Sequence, residues 1–173
     1  LSALTTLTIY LGKRQLDTVL YWTMGSLNGS TWPRVAVLAV VVAISSTALT
    51  AKASVLDVLL LDDSTAISSG LDARAVRMLL LALASVLTAV VVSFCGIIGF
   101  VGLMSPHFAR LMVGSKHRRL IPVSMLLGAV ILLLSDILAR CIAAPSELPI
   151  GIITSILGAP VFLLLLRRRG NGF

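Results

Sequence analysis

Charge is scarce in this 173-residue chain. Asp, Glu, Lys and Arg together make up 12% of it, against 58% hydrophobic residues and a mean hydropathy of +1.06. A soluble domain carries about 25% charged and 45–50% apolar residues, so the polar surface such a domain needs is missing. The composition is that of an integral membrane protein. Aromatic residues are also few, at 5%, and no period-two alternation runs through the apolar stretches, which excludes a β-barrel. The two cysteines, Cys95 and Cys141, lie far apart without CxxC or Cys/His spacing and are read as small packing residues. There is no GxxxxGK[ST] loop, so the chain does not hold ATP by a P-loop. There is likewise no HExxH and no Ser/His/Asp set at one depth. His107 and His117 have no carboxylate at metal-ligand spacing and are read as structural or interfacial. No catalytic residue, metal site or cofactor is expected, and the chain is not read as an enzyme.

The net charge of +7 does not point to nucleic acid, because the basic residues punctuate apolar runs instead of lining one face. That pattern belongs to membrane topology. A crossing needs about 20 apolar residues. Uncharged runs extend from Val35 to Ala51, from Met78 to Pro106, from Leu120 to Ser135 with "DILARCIA" beyond, and from Leu148 to Leu166. The opening "LSALTTLTIYL" has neither Met nor a basic start. It reads as the end of a helix already under way in a truncated chain, without a signal peptide.

Lys and Arg concentrate on the cytoplasmic side of membrane proteins. The triplet Arg167, Arg168 and Arg169 therefore places the C-terminus inside, the corner 143–149 outside, and "SKHRR" inside. The polar segment between Lys52 and Arg77 also reads as cytoplasmic. A single crossing over 78–113 would put "SKHRR" on the wrong side. Two passes resolve this: a helix over 75–97 and a short return helix over 101–113, about 20 Å long at 1.5 Å per residue. A leg that short must be sheltered by neighbouring helices. Gly96, Gly99 and Gly102 are expected to let the backbone turn and pack closely there, with Pro106 and His107 shaping the return helix. Arg110, Lys116, Arg118 and Arg119 hold its inner end at the lipid headgroups. This layout leaves Lys13, Arg14, Arg34 and Arg140 as the outer members of the fourteen basic residues. The remaining crossings are expected over 33–51, 119–141 and 149–167, with residues 1–12 the end of a helix. Residues 14–25 suit a short outer helix, with Tyr21, Trp22 and Trp32 at headgroup depth.

Two polar islands stand out. Asp136 and Arg140, four residues apart, form a helical ion pair at the outer mouth of a crossing. The segment 55–72 contains "LDVLLLDD" and "STAISSGL", which read as two short helices on the inner face. Asp63 or Ser64 would cap the second, Gly70 would end it, and exposed leucines invite a protein partner. An ion-coupled secondary transporter is the alternative class. It usually needs an ionisable group near the bilayer midplane, and none is present in these runs.

Five strings, in order, resemble the permease subunits of ABC importers for iron–siderophore, haem and cobalamin, the FecCD-type or type II importers. They are "YWTMGSLNGSTW", "LDVLLLDDSTAISSGL", "GIIGFVGLMSPHFARLMVGSKHRRLIP", "LLLSDILAR" and "ELPIGIITSILGAPVFLLLL". The resemblance covers nearly the whole chain and implies an all-α polytopic bundle, the C-terminal half of a ten-helix permease in the bacterial inner membrane. It implies three partners: an ABC ATP-binding subunit, a substrate-binding protein, and a second permease subunit, identical or related. It implies that Leu59, Leu61, Asp62, Asp63, Ser64, Ala66 and Gly70 belong to coupling helices that dock on the ATPase, and that Arg140 pairs with a carboxylate of the binding protein. Pro149 and Gly151 open the last helix. Two positions depart from the family pattern: Asp62 stands where Gly is usual, and Ser69 where Leu is usual. The added carboxylate changes the charge offered to an ATPase.

Overall fold

The computed structural model describes residues 22–59, 73–143 and 148–170. Six α-helices account for most of them, and no strand occurs among them: α1 Trp32–Ala51, α2 Ala53–Leu59, α3 Ala73–Cys95, α4 Val101–Val113, α5 His117–Ala143 and α6 Ile150–Gly170. Four, α1, α3, α5 and α6, are long and apolar enough to cross a membrane. The chain is an all-α, multi-pass membrane protein. Large apolar side chains such as Val40, Ile44, Leu79, Leu81 and Val86 lie exposed on α1 and α3, the arrangement hydrocarbon surroundings favour.

Local chemistry sets where each helix begins and ends. Pro33 sits in the first turn of α1, where its missing N–H costs nothing. At the other end, Lys52 N–H donates to Ala48 O at 3.2 Å, while Lys52 O accepts from Val55 and Leu56 at 3.0 and 3.1 Å. One residue thus closes α1 and starts α2. Helix α3 stops at Cys95, two residues before the sequence limit of 97, because Gly96 turns left-handed with φ +71°. The next helix, α4, starts after Phe100, itself left-handed at φ 65°, a conformation bulky residues rarely adopt. The Phe100 ring lies on α6 where an added Cβ at Gly158 would have to be, and it meets Phe162 edge-on with ring centroids 6.5 Å apart.

The half-length helix α4 packs mainly along α5 and also against α6, burying Met104, Ser105 and Ala109. Small residues permit this approach: a Cβ built on Gly128 of α5 would just touch Ser105 Oγ at 3.5 Å. Helices α5 and α6 meet around Ala139, Ile150 and Ile153, with Leu27, Leu132 and Leu148 packed alongside. Ser135 and Thr154 are fully buried in this region. Their hydroxyls donate to Ile131 O (2.8 Å) and Gly151 O (3.2 Å) of their own helices, so neither of these two is stranded.

One expectation needs correction. The close packing expected of Gly99 and Gly102 is not found among the described residues: a Cβ at either would meet none of their atoms within 4 Å, and neither has a positive φ. Only Gly96 of the three is constrained. Gly99→Ala should therefore change the midpoint of thermal unfolding by an amount equivalent to under about 0.5 kcal/mol. Gly102→Ala, inside α4, should gain up to about 1 kcal/mol from helix propensity. A fluorescence melt of the detergent-solubilised protein reads both.

Candidate functional site

The helices place the chain's polar features at two opposite ends. At one end the segment after Trp22 threads between the C-terminus of α3 and the N-terminus of α6. Ser26 N–H donates to Cys95 O at 2.9 Å, while Ile150 N–H donates to Gly25 O and Gly151 N–H to Met24 O, each at 3.1 Å. The first amides of α6, which have no partner within their own helix, are thus satisfied by a chain more than 120 positions away. Such contact of bare backbones requires glycine on each strand of the knot. An added Cβ at Gly25 would strike Ile97 O, at Gly96 it would strike Trp22 O, and at Gly151 it would strike Met24 O, all well inside the 3.0 Å that Cβ atoms keep. Gly25 and Gly96 also need their φ of +71°. Pro149 is buried, and its carbonyl accepts the Ile152 amide at 3.1 Å, opening α6.

Arg140 stands beside this knot near the end of α5. Its Nε donates to Asp136 Oδ2 at 2.9 Å and its Nη2 to Asn28 Oδ1 at 3.1 Å. The guanidinium side chain is 52% exposed and Asp136 22%. Asn28 is itself fixed, its N–H donating to Ser26 Oγ at 3.1 Å. Asp136 and Asn28 therefore orient the arginine at a half-exposed position. A cavity of about 310 Å³ opens next to it, lined by Trp22, Ser26, Asn28, Phe94 and Pro149 among others.

At the opposite end, α2 packs on the start of α5. Asp57 Oδ1 accepts from the His117 backbone N–H at 3.0 Å and lies 2.6 Å from His117 Nδ1. The two hydrogen bonds from His117, the backbone one foremost, hold the Asp57 carboxyl below its usual range. Its ionisation therefore supports the folded arrangement above the ordinary carboxylate range, and that support is lost as pH falls through the lowered value. Arg110, Lys116, Arg118 and Arg119 are all exposed around this end. Pro106 and His107 are half-buried on α4, and Arg110 O accepts the Gly114 amide at 3.0 Å.

Of the residues the sequence singles out, Gly96, Pro149, Gly151 and Arg140 come together at one end. Leu59 closes α2 at the other. Leu61, Asp62, Asp63, Ser64, Ala66 and Gly70 lie outside the described residues, as does the second of the two short helices expected in 55–72. Sequence reasoning missed Gly25, Asn28 and the Asp57–His117 pair. Each acts across 60 or more positions, a separation no local pattern reports. Among the described residues no group of three or more His, Cys, Asp or Glu side chains gathers to hold a metal.

Four crossing-length apolar helices and one half-length helix, with charged contacts near the two ends among the described residues, have the build of a membrane protein's spanning part. The model of the FecCD transport family matches residues 1–168, and the chain belongs to that family. It is 46% identical over 169 residues to the cobalamin import system permease protein BtuC of Halobacterium salinarum, covering 98% of this chain and 45% of that protein. The Fe(3+) dicitrate permease FecC of Escherichia coli is 38% identical over 167 residues, covering 96% and 50%. The hemin permease HmuU of Yersinia pestis is 38% identical over 169 residues, covering 97% and 51%. A solved structure described as an inward-facing metal-chelate type ABC transporter superposes with a TM-score of 0.84 at 36% identity, covering 96% of this chain and 55% of that one. The chain spans about half the length of the relatives it matches.

Proposed function

We propose that this chain is part of the membrane-embedded permease of an ATP-driven importer whose cargo is a ferric siderophore or a related iron or tetrapyrrole chelate. Segment 55–72 takes up the movement of a cytoplasmic ATP-binding subunit, Arg140 receives the substrate-binding protein outside, and a second permease subunit completes the pathway. The Arg-rich C-terminus faces the cytoplasm of a bacterial cell, across the inner membrane.

The observation that carries this reading is the separation of the two contact regions. Asp57, at the base of the segment assigned to the ATPase, lies at one end of α5, and Arg140 lies at the other. Among the described residues the charged side chains stand near helix ends or in the connections, and none occupies the middle of a crossing. That leaves no group to carry a coupling ion at the midplane.

Replacing Asp63 with Lys, or Gly70 with Val, in the full permease should leave the protein in the membrane. Uptake of ferric chelate by cells should then fall about tenfold or more, as expected when a coupling contact of a few kcal/mol is lost. Normal uptake in both variants would remove segment 55–72 from the ATPase contact. Uptake that survives ATP depletion but collapses with an ionophore would replace the whole reading with ion-coupled transport.

A further inference from the structure

Helix α5 begins badly on its own account. The residue before it, Lys116, has no side-chain acceptor, and its first three positions are His117, Arg118 and Arg119. Cationic side chains thus crowd the positive end of the helix dipole, where unpaired amides call for an acceptor or an anion. The chain supplies one from 60 residues upstream: Asp57 accepts both the His117 amide and its ring nitrogen through a single oxygen, Oδ1. Accepting from Nδ1 fixes that nitrogen as the protonated one. His117 is 18% exposed at its side chain and Asp57 40%, so the contact lies at the rim of the bundle and not in its core.

The placement matters more than the stability. Asp57 sits in the seven-residue helix α2, which precedes residues 60–72 in the sequence and packs chiefly on α5 and also on α1. The peptide at Lys52 joins α2 to α1, and hydrogen bonds to Asp57 join it to α5. Helix α5 then runs about 35 Å from His117, at 1.5 Å per residue, to Arg140 and its holders Asp136 and Asn28.

We infer that Asp57 and His117 are positioning residues for transport: they clamp the coupling segment to α5, so that one helix links the ATPase contact to the binding-protein contact. This rests on the function proposed above. Movement that reaches α2 passes through the two hydrogen bonds to the first turn of α5, and the helix delivers it near Arg140. Docking at Arg140 acts back along the same helix, since coupling between two binding sites is reciprocal.

The test uses the full-length permease assembled with its ATP-binding subunits in lipid nanodiscs, with cargo-free binding protein as the probe. The readout is the factor by which that protein stimulates ATP hydrolysis. Asp57→Ala, which removes both hydrogen bonds, should reduce the stimulation factor about tenfold, and His117→Ala, which removes only the ring contact, about fivefold, within the range of ordinary coupling energies. The double variant should do no worse than Asp57→Ala alone, because that change already removes the ring contact that His117→Ala removes. Asp57→Asn should keep the factor within about twofold, since its amide oxygen still accepts both hydrogens and only the charge is gone. If Asp57→Ala fails to assemble, His117→Ala decides alone, for it keeps the backbone amide that Asp57 caps. Full stimulation in the alanine variants, additive losses in the double, or an Asn variant as impaired as the Ala variant would each overturn the clamp. A parent complex that shows no stimulation would instead overturn the proposed function.

Discussion

Gly151→Val should cost the folded protein about 3–5 kcal/mol, the range of severe overpacking combined with lost buried hydrogen bonds. The Cβ alone would fall on Met24 O, and relief requires moving apart two segments joined by the Gly151–Met24 and Ile150–Gly25 hydrogen bonds. Neither side can give easily, because Gly25 is equally pressed against Ile97 O and Gly96 against Trp22 O. Three backbones meet there with no side chain between them, so a change at one strains the other two. The expected result is a lowered melting temperature and loss of the single sharp peak in size-exclusion chromatography. Gly99→Val, near the same end but with open space around it, serves as the control. A Gly151→Val protein melting within about 2 °C of the parent, a shift too small for even 1 kcal/mol in a chain this size, would show that the knot bends freely.

Arg140→Glu should weaken docking of the binding protein about a hundredfold. Removing one partner of a buried charge pair at an interface costs about 2–5 kcal/mol, and reversing its sign adds repulsion. The side chain is already oriented by Asp136 and Asn28, so under the proposed function the docking partner meets a charge held in place before contact. The mutant Glu would face Asp136 one turn away and lose the Asn28 contact, so its thermal stability must be measured beside its affinity. Binding to nanodisc-embedded permease by surface plasmon resonance reads the effect. The deficit should shrink as salt rises, since screening acts on long-range attraction. An unchanged affinity at low salt would remove Arg140 from the docking surface.

Much of this architecture was legible because the membrane enforces it through composition. The uncharged runs ending at Ala51 and beginning at Met78 and Leu120 read as helices, and the break expected between 97 and 101 separates α3 from α4. Arg140 was legible because an acid and a base four residues apart declare themselves on a helix. The glycines were half legible. The spacing of Gly96, Gly99 and Gly102 suggested three equivalent roles, yet only Gly96 meets another backbone. The partners that decide this, Trp22 and Gly25, lie some 70 positions upstream. Asp57 looked like one more polar residue of a surface helix, and His117 like one of a basic cluster. Their meeting depends on how α2 folds back from Lys52, which one residue's dihedrals determine.

Phe100 has a consequence for how the short leg is steered. A stub of 13 residues lacks the length to be aligned by the two water boundaries, as full crossings are. Its heading comes from its packing along α5 and from an aromatic peg seated in a notch on the last helix, at a position where Gly158 contributes no side chain. The tilt of the stub is therefore encoded in part on a neighbour 58 positions later in the chain, and rotation of α6 would swing it like a latch on its pin.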